Sequence, residues 1–442
     1  MANGEFQERQ RLRIVEISED LQPADVNRIL IRAEQSIESV MQDVSSLIEE
    51  VRTHGEKAIL RQIEAFDGVK SPVLRVSAQQ LEQALSEIDD LLREAMSEAI
   101  ERLRKTSSDS MPKSVTTKFG DSSSVIQRFM PVDSVAVYAP GGKAVYPSSV
   151  IMNVVPAQVA GVRRIGLFSP AQANGLPARE VLAAAALLEV DEVYSIGGVG
   201  AVASAAHGLP SLGLQPFRMF TGPGNIYLAA AKRALRGTLG IDSEAGPTEI
   251  MVLADSTANA SHVAADLLSQ AEHDENAACV LVTDSIEFAE KVNDELEKRL
   301  DTTQNSARAR ISLDGPQSLI LVVSSKDSMV VAANEYAAEH LSLQTSDNQT
   351  LASRITNAGA LFIGSFSPVS LGDYMAGSNH VLPTGGQGKH SSGLSVLSFL
   401  RAQQVIDYSK LDLMDLEEKL VSFSNSEGLP AHGEAIAARR DD

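Results

Sequence analysis

Gln270 and His273 stand three residues apart in Leu267-Leu268-Ser269-Gln270-Ala271-Glu272-His273-Asp274. Val263, Leu267, Leu268 and Ala271 recur at core-facing spacing after the turn residues Asp255, Ser256 and Asn259, which predicts an amphipathic helix ending here. Helical residues three apart share a face, so an amide oxygen and an imidazole nitrogen could hold one cation between them. Taken alone, the fragment reads more plainly as a polar helix end facing water, because a zinc site usually needs four ligands. Further candidates lie downstream. Asn334 to Leu341 sets Glu339 beside His340 at the expected end of a helix. Adjacent helical residues point about 100° apart, so this pair would not relay one proton. The two could instead act at different moments on one cleft. A histidine with pKa near ~6.5 is suited to accept a proton at pH 7, and a glutamate can activate water when burial raises its pKa. The loop Leu371 to His380 offers Asp373 and His380, and Glu427 to Gly433 offers Glu427 and His432. Each loop by itself reads as solvated polar residues. Gln270, His273, Asp373 and His432 together would make an N/O set suited to zinc or a similar divalent ion.

These residues need a scaffold, and the chain supplies the pattern of one. Apolar spacing predicts helices over Val26 to Val51, stopped by Gly55, and over Leu81 to Leu103. Thr106 to Ser114 reads as a linker, and Lys118 to Phe129 as a hairpin turning at Gly120-Asp121-Ser122. From Ser134 short apolar strands alternate with helices across glycine-rich turns, first to about Leu235 and again from Ile250 to Ile363. That alternation predicts two successive parallel sheets covered by helices. Met329 to His340 reads as one helix. The tail from about Leu394 carries short helical patterns.

Composition narrows the class. A chain of 442 residues should hold more than one domain. The formal charge of -20 argues against nucleic acid as a partner, since phosphate binding needs clustered Lys and Arg. No apolar run approaches the roughly 20 residues of a membrane span, and no secretory signal opens the sequence. A cytoplasmic protein is expected. Cys279, the single cysteine, sits in an apolar strand pattern and reads as a buried structural thiol. Gly197-Gly198-Val199-Gly200 and Gly222-Pro223-Gly224-Asn225 follow strands, but neither is a G-x-G-x-x-G fingerprint. A dinucleotide could still lie across the carboxyl ends of the strands from Val135, Arg164 and Glu192, held in a non-standard way.

Read together, seven stretches resemble the histidinol dehydrogenase family. They are Val137-Tyr138-Ala139-Pro140-Gly141-Gly142, Thr221 to Asn225, Glu244-Ala245-Gly246-Pro247-Thr248-Glu249, Ser269 to His273, Ala338 to Leu341, Gly372 to Pro383, and Leu429 to His432. They fall in the family's order between about residues 20 and 435. The resemblance implies oxidation of L-histidinol to L-histidine through an aldehyde, with two NAD and one zinc per site, in a homodimer. It implies that the two NAD are consumed in succession while the zinc, one per subunit, stays bound, and that Gln270, His273 and Asp373 bind it from one subunit and His432 from the other. It makes His340 the general base and Glu339 the group that activates water. Thr248, His380 and Glu427 match substrate contacts, together with the metal ligands and His340. Tyr138 and Asn225 match contacts to NAD. Gly200 stands where the family usually has a glutamine that helps hold NAD.

The expected fold is α/β, with two successive Rossmann-like, incomplete, open parallel-sheet domains and smaller, mainly helical extensions at both ends. The expected division is 1–30 as the N-terminal helical extension, 31–133 with 249–392 as the metal and catalytic domain, 134–248 as the NAD side, and 393–442 as an extension reaching the partner subunit. The residues alone leave two other readings, a zinc hydrolase using Glu339 as base and a non-enzymatic protein using the metal to fasten subunits.

Overall fold

The computed structural model describes residues 11–33, 36–141, 145–244 and 246–440. Gly142 and Ala245, both within stretches that carry the resemblance, lie outside these residues, as do the first residues and Asp441-Asp442. In chain order the strands are β1 (Arg13–Ile17), β2 (Val115–Lys118), β3 (Ser124–Pro131), β4 (Ser134–Tyr138), β5 (Arg164–Phe168), β6 (Glu192–Tyr194), β7 (Met219–Thr221), β8 (Gly240–Ile241), β9 (Glu249–Ala254), β10 (Ala278–Thr283), β11 (Leu319–Val323), β12 (His340–Gln344), β13 (Ala360–Ile363) and β14 (Leu400–Asp407).

β9 to β12 are buried along their whole length, as expected of a parallel sheet covered on both faces. They lie in a six-stranded sheet of order β1-β11-β10-β9-β12-β13, with every neighbouring pair parallel. Alternate residues divide between two cores. Ile250, Val252, Leu281 and Ile320 pack with helices Ala260–Ala271 and Ile286–Leu300. Met251, Leu253, Val280 and Leu321 pack with helices Pro23–Ile29 and Lys326–Tyr336. A five-stranded sheet, β6-β5-β4-β7-β8, is likewise parallel throughout. In it the chain runs from β4 out to β6 and returns to β7 on the other side of β4. That reversal opens a crevice at the carboxyl ends of β4 and β7, where open α/β sheets bind ligands.

The two parallel sheets and their helices agree with the α/β expectation. Several local readings do not hold. Val26 to Val51 is not one helix: Pro23–Ile29 stops at Leu30, and helix Met41–His54 begins later, after a 3-10 turn. Residues 90–109 form one helix, so the first four residues of the expected linker, 106–109, are helical. β1 was expected to be helical, yet it pairs in parallel with β11 at the edge of the larger sheet. The tail contributes β14, which joins the expected hairpin β2–β3 in a three-stranded antiparallel sheet. Helices Met41–His54 and Glu56–Phe66 pack against the smaller sheet with Ala136, Phe168 and Phe220. Helices Ala78–Glu87 and Asp90–Asp109 pack against its other face. Residues 41–109 therefore share the core of the 134–248 sheet rather than that of the 249–392 sheet.

Candidate active site

Helix Lys326–Tyr336 ends at Ala337, whose φ of +49 turns the chain sharply. His340 is therefore the first residue of β12, not the end of a helix, and the expectation of a helical Glu339–His340 pair fails there. Alanine carries no stop signal, and this abrupt left-handed turn is imposed by packing, for Ala337 and Ala338 are fully buried. On a strand, neighbouring side chains point to opposite faces. Both still reach one partner, the first residue of the adjacent strand. Glu249 N donates to Glu339 Oε2 at 3.0 Å, and His340 Nδ1 lies 3.1 Å from Glu249 O.

That second contact fixes a tautomer. A carbonyl oxygen only accepts, so Nδ1 carries the hydrogen and Nε2 presents its lone pair. Nε2 is buried and has no hydrogen-bond partner among the described residues. Asp373 Oδ1 is 3.8 Å away, beyond hydrogen-bond reach. Glu339 Oε2 also accepts from Thr248 Oγ1 at 2.5 Å, and Thr248 Oγ1 accepts from Gln270 Nε2. With its amide nitrogen donating, Gln270 Oε1 accepts from nothing among the described residues. Gln270 sits in the last turn of helix Ala260–Ala271, which Asn259 caps by accepting from Ser261 N at 2.9 Å. His273 lies just beyond that helix, joined to it by its N–H to Gln270 O.

The chain thus gathers Gln270, Thr248, Glu339, His340 and Asp373 in one run of contacts. His380 belongs with them. Its Nδ1 is 2.9 Å from Asp373 O, and its ring feels both His340 and His273. Desolvation, helped by those two rings, pushes the His380 imidazole below its usual range against the pull of Asp373. Beside them is a cavity of about 580 Å³ lined by His273, Tyr374, Met375, Tyr146, Met152 and Met96. Its size suits a small-molecule ligand.

For a metal, Gln270, His273 and Asp373 offer an amide oxygen, an imidazole and a carboxylate, which is borderline-hard donor chemistry that fits zinc. Among the described residues no three His, Cys, Asp or Glu side chains form a metal-holding group. His432 lies in helix Pro430–Ala437 and Glu427 caps the end of helix Glu417–Ser426; both are exposed, and neither side chain bonds to the cluster. The structure leaves these two apart from the other candidates.

Tyr138 ends β4, and Asn225 closes the turn that follows β7. Tyr138 Oη accepts from Gly198 N at 3.2 Å, and burial pushes the phenol up to about 12, so it stays neutral. Asn225 caps helix Ile226–Leu235, its Oδ1 accepting from Tyr227 N and Leu228 N. Its amide nitrogen donates to nothing among the described residues. A Cβ at Gly200 would lie 3.1 Å from Gln62 Oε1 and Ile59 Cδ1, so a glutamine there would require these side-chain ends to shift by a few tenths of an ångström. A neutral hydroxyl, a free amide and a glycine-lined crevice fit a dinucleotide. Sequence reasoning missed Glu249 as the residue holding both Glu339 and His340; it stood within a resembling stretch, but its part is played by its backbone.

Comparison with known proteins gives a consistent result. The histidinol dehydrogenase family model matches residues 30–440. The histidinol dehydrogenase of Thermobifida fusca is 51% identical over 419 residues, covering 94% of this chain and 95% of that protein. That of Corynebacterium glutamicum is 49% identical over 418 residues, with 94% and 95% covered. The crystal structure of histidinol dehydrogenase from Elizabethkingia anophelis superposes with a TM-score of 0.92 at 29% identity, covering 97% of this chain and 98% of that one. With sequence, fold and extent all in agreement, the chain belongs to the histidinol dehydrogenase family.

Proposed function

We propose that this enzyme oxidises L-histidinol to L-histidine through L-histidinal, the last steps of histidine biosynthesis, using two NAD per turnover and a zinc ion that orients the substrate. The observation that carries the reading is the tautomer of His340, whose Nε2 is a buried base, unpartnered among the described residues, on the side of Asp373, while Glu339 Oε2 lies 3.5 Å from Nδ1. Gln270, His273 and Asp373 would hold the metal with His432 of the partner subunit, and Thr248, His380 and Glu427 of the partner subunit would contact substrate. Bound zinc would fix the amine and imidazole of the substrate, and bound NAD would accept a hydride in each oxidation.

The remaining work falls to the chain. In the first oxidation His340 Nε2 takes the hydroxyl proton as the carbinol carbon gives up its hydride, leaving the aldehyde. Glu339, held through Oε2 by Thr248 and Glu249 N, keeps Oε1 for a water. It takes a proton as that water adds to the aldehyde carbon. His340 then takes a proton from the hydrate as the second hydride leaves. The sum is alcohol, water and two NAD to carboxylate, two NADH and three protons. Tyr138 and Asn225 would orient the dinucleotide at the crevice.

Stoichiometry tests the reading. Two NADH should form per histidinol consumed, with no aldehyde captured by a hydrazine trap. One NADH per histidinol with free aldehyde, or turnover without NAD, would sink it.

A further inference from the structure

Lys232 and Asp242 form an ion pair whose side chains are only 2% and 5% exposed, and the chemistry above uses neither. Burying two charges is costly, and apolar replacements of such a pair often leave stability unchanged or raise it. What the pair grips therefore matters more than its own strength. It grips one residue. Lys232 Nζ donates to Gly222 O at 3.1 Å, and Asp242 Oδ2 accepts from Gly222 N at 2.8 Å. Both backbone groups of Gly222 are thus held by buried, charged side chains, which make the stronger kind of hydrogen bond.

Gly222 is also where the two sides of the crevice touch. Its φ is +122, and a Cβ there would lie 2.2 Å from Tyr138 O. Only glycine allows that approach. Three residues later comes Asn225, which caps the helix that carries Lys232. The end of β4 with Tyr138, the turn Thr221–Asn225 and the helix Ile226–Leu235 are therefore locked into one geometry through Gly222. We infer that Lys232 and Asp242 are positioning residues for the dinucleotide, setting the turn so that Asn225 and Tyr138 face the same ligand. This rests on the NAD reading of the crevice.

The test compares wild type with Lys232→Met/Asp242→Leu, which removes both charges and leaves neither unpaired. Calorimetric titration with NAD alone, KM for NAD and for histidinol, and thermal unfolding are measured on each. NAD binding should weaken roughly tenfold or more as preorganisation is lost, while KM for histidinol stays within about twofold and the melting temperature within a few degrees. The isosteric Asp242→Asn should show the same selective loss, and it decides the matter if the double variant does not fold. A folded variant that binds NAD as tightly as wild type overturns the inference, as does an equal loss of NAD and histidinol affinity. Wild-type protein that does not bind NAD removes instead the functional reading beneath it.

Discussion

Glu249 organises the proposed catalytic pair without being part of it. Its N–H and carbonyl hold Glu339 and His340, so the pair is oriented by the first peptide units of β9 rather than by a third side chain. Its carboxylate is in turn paired with Arg32, whose guanidinium also stacks 4.0 Å over the Tyr336 ring. Burial raises the Glu249 carboxyl, and Arg32 opposes that shift. Because the backbone does the orienting, deleting the His340 ring leaves its surroundings in place. His340→Ala should lower kcat by about 10²–10⁴ while changing KM for histidinol little, as expected when a general base is lost. Steady-state kinetics decide this, and a raised KM with kcat intact would make His340 a binding residue only.

At the scale of elements, helix Ala260–Ala271 brings Gln270 to the site by docking on the larger sheet, and it carries a second buried polar residue. Asp266 is 7% exposed and accepts from Gln344 Nε2 at 2.9 Å, while Gln344 Oε1 is buried with no partner among the described residues. Burial pushes the Asp266 carboxyl up to about 6, the bond from Gln344 opposing it. The folded pKa exceeds the unfolded value of about 3.9, so folding favours the protonated acid. That contribution is complete below about pH 4 and is lost as pH rises through 6. Asp266→Asn mimics the protonated form and can donate to Gln344 Oε1. It should stabilise the protein by about 2 kcal/mol at pH 8, with the gain fading between pH 6 and 4. Denaturant titrations across that range measure it, and a pH-independent gain would place the ionised Asp266 in water.

The two sheets carry their candidate residues at unlike ends. Tyr138 and Asn225 stand at carboxyl ends of the smaller sheet, whereas Glu249 and His340 begin their strands and so stand at amino ends of the larger one. At the carboxyl ends of β9 and β12, Asp255 joins the two turns. Burial works against its ionised form, yet bonds from Thr257 and Ser346 hold the carboxyl down at about 2. The polar chemistry at that end is therefore structural. The C-terminal helices expose Leu411, Phe423 and Leu429 along with Glu427 and His432. A second copy of the chain would cover such apolar side chains in the proposed homodimer. Gln270→Ala and His432→Ala protomers, each inactive, should regain about a quarter of wild-type activity when unfolded and refolded as an equal mixture. Half the dimers are then mixed, and each has one intact site. No activity beyond either parent would mean that the site is not shared.

Periodicity and turn chemistry were enough to read the two α/β runs, the β2–β3 hairpin and the helix under Gln270, because those signals are local. The order of seven short stretches was enough to identify the family. Local signals failed where tertiary packing set the outcome. Ala337 turns the chain at positive φ with no glycine to announce it, so His340 begins a strand. β1 and β14 are strands because edges of distant sheets accept them, and no span of five to eight residues encodes its partner. The candidate site divides the same way. The residue types in Gln270, His273, Glu339, His340 and Asp373 declared their chemistry in the sequence. The meeting of Gln270, Glu339 and His340 around Thr248 and the backbone of Glu249, the tautomer that follows, and the buried Lys232–Asp242 grip on Gly222 came only with the fold, since each joins groups that are far apart along the chain or speaks through a peptide unit common to every residue.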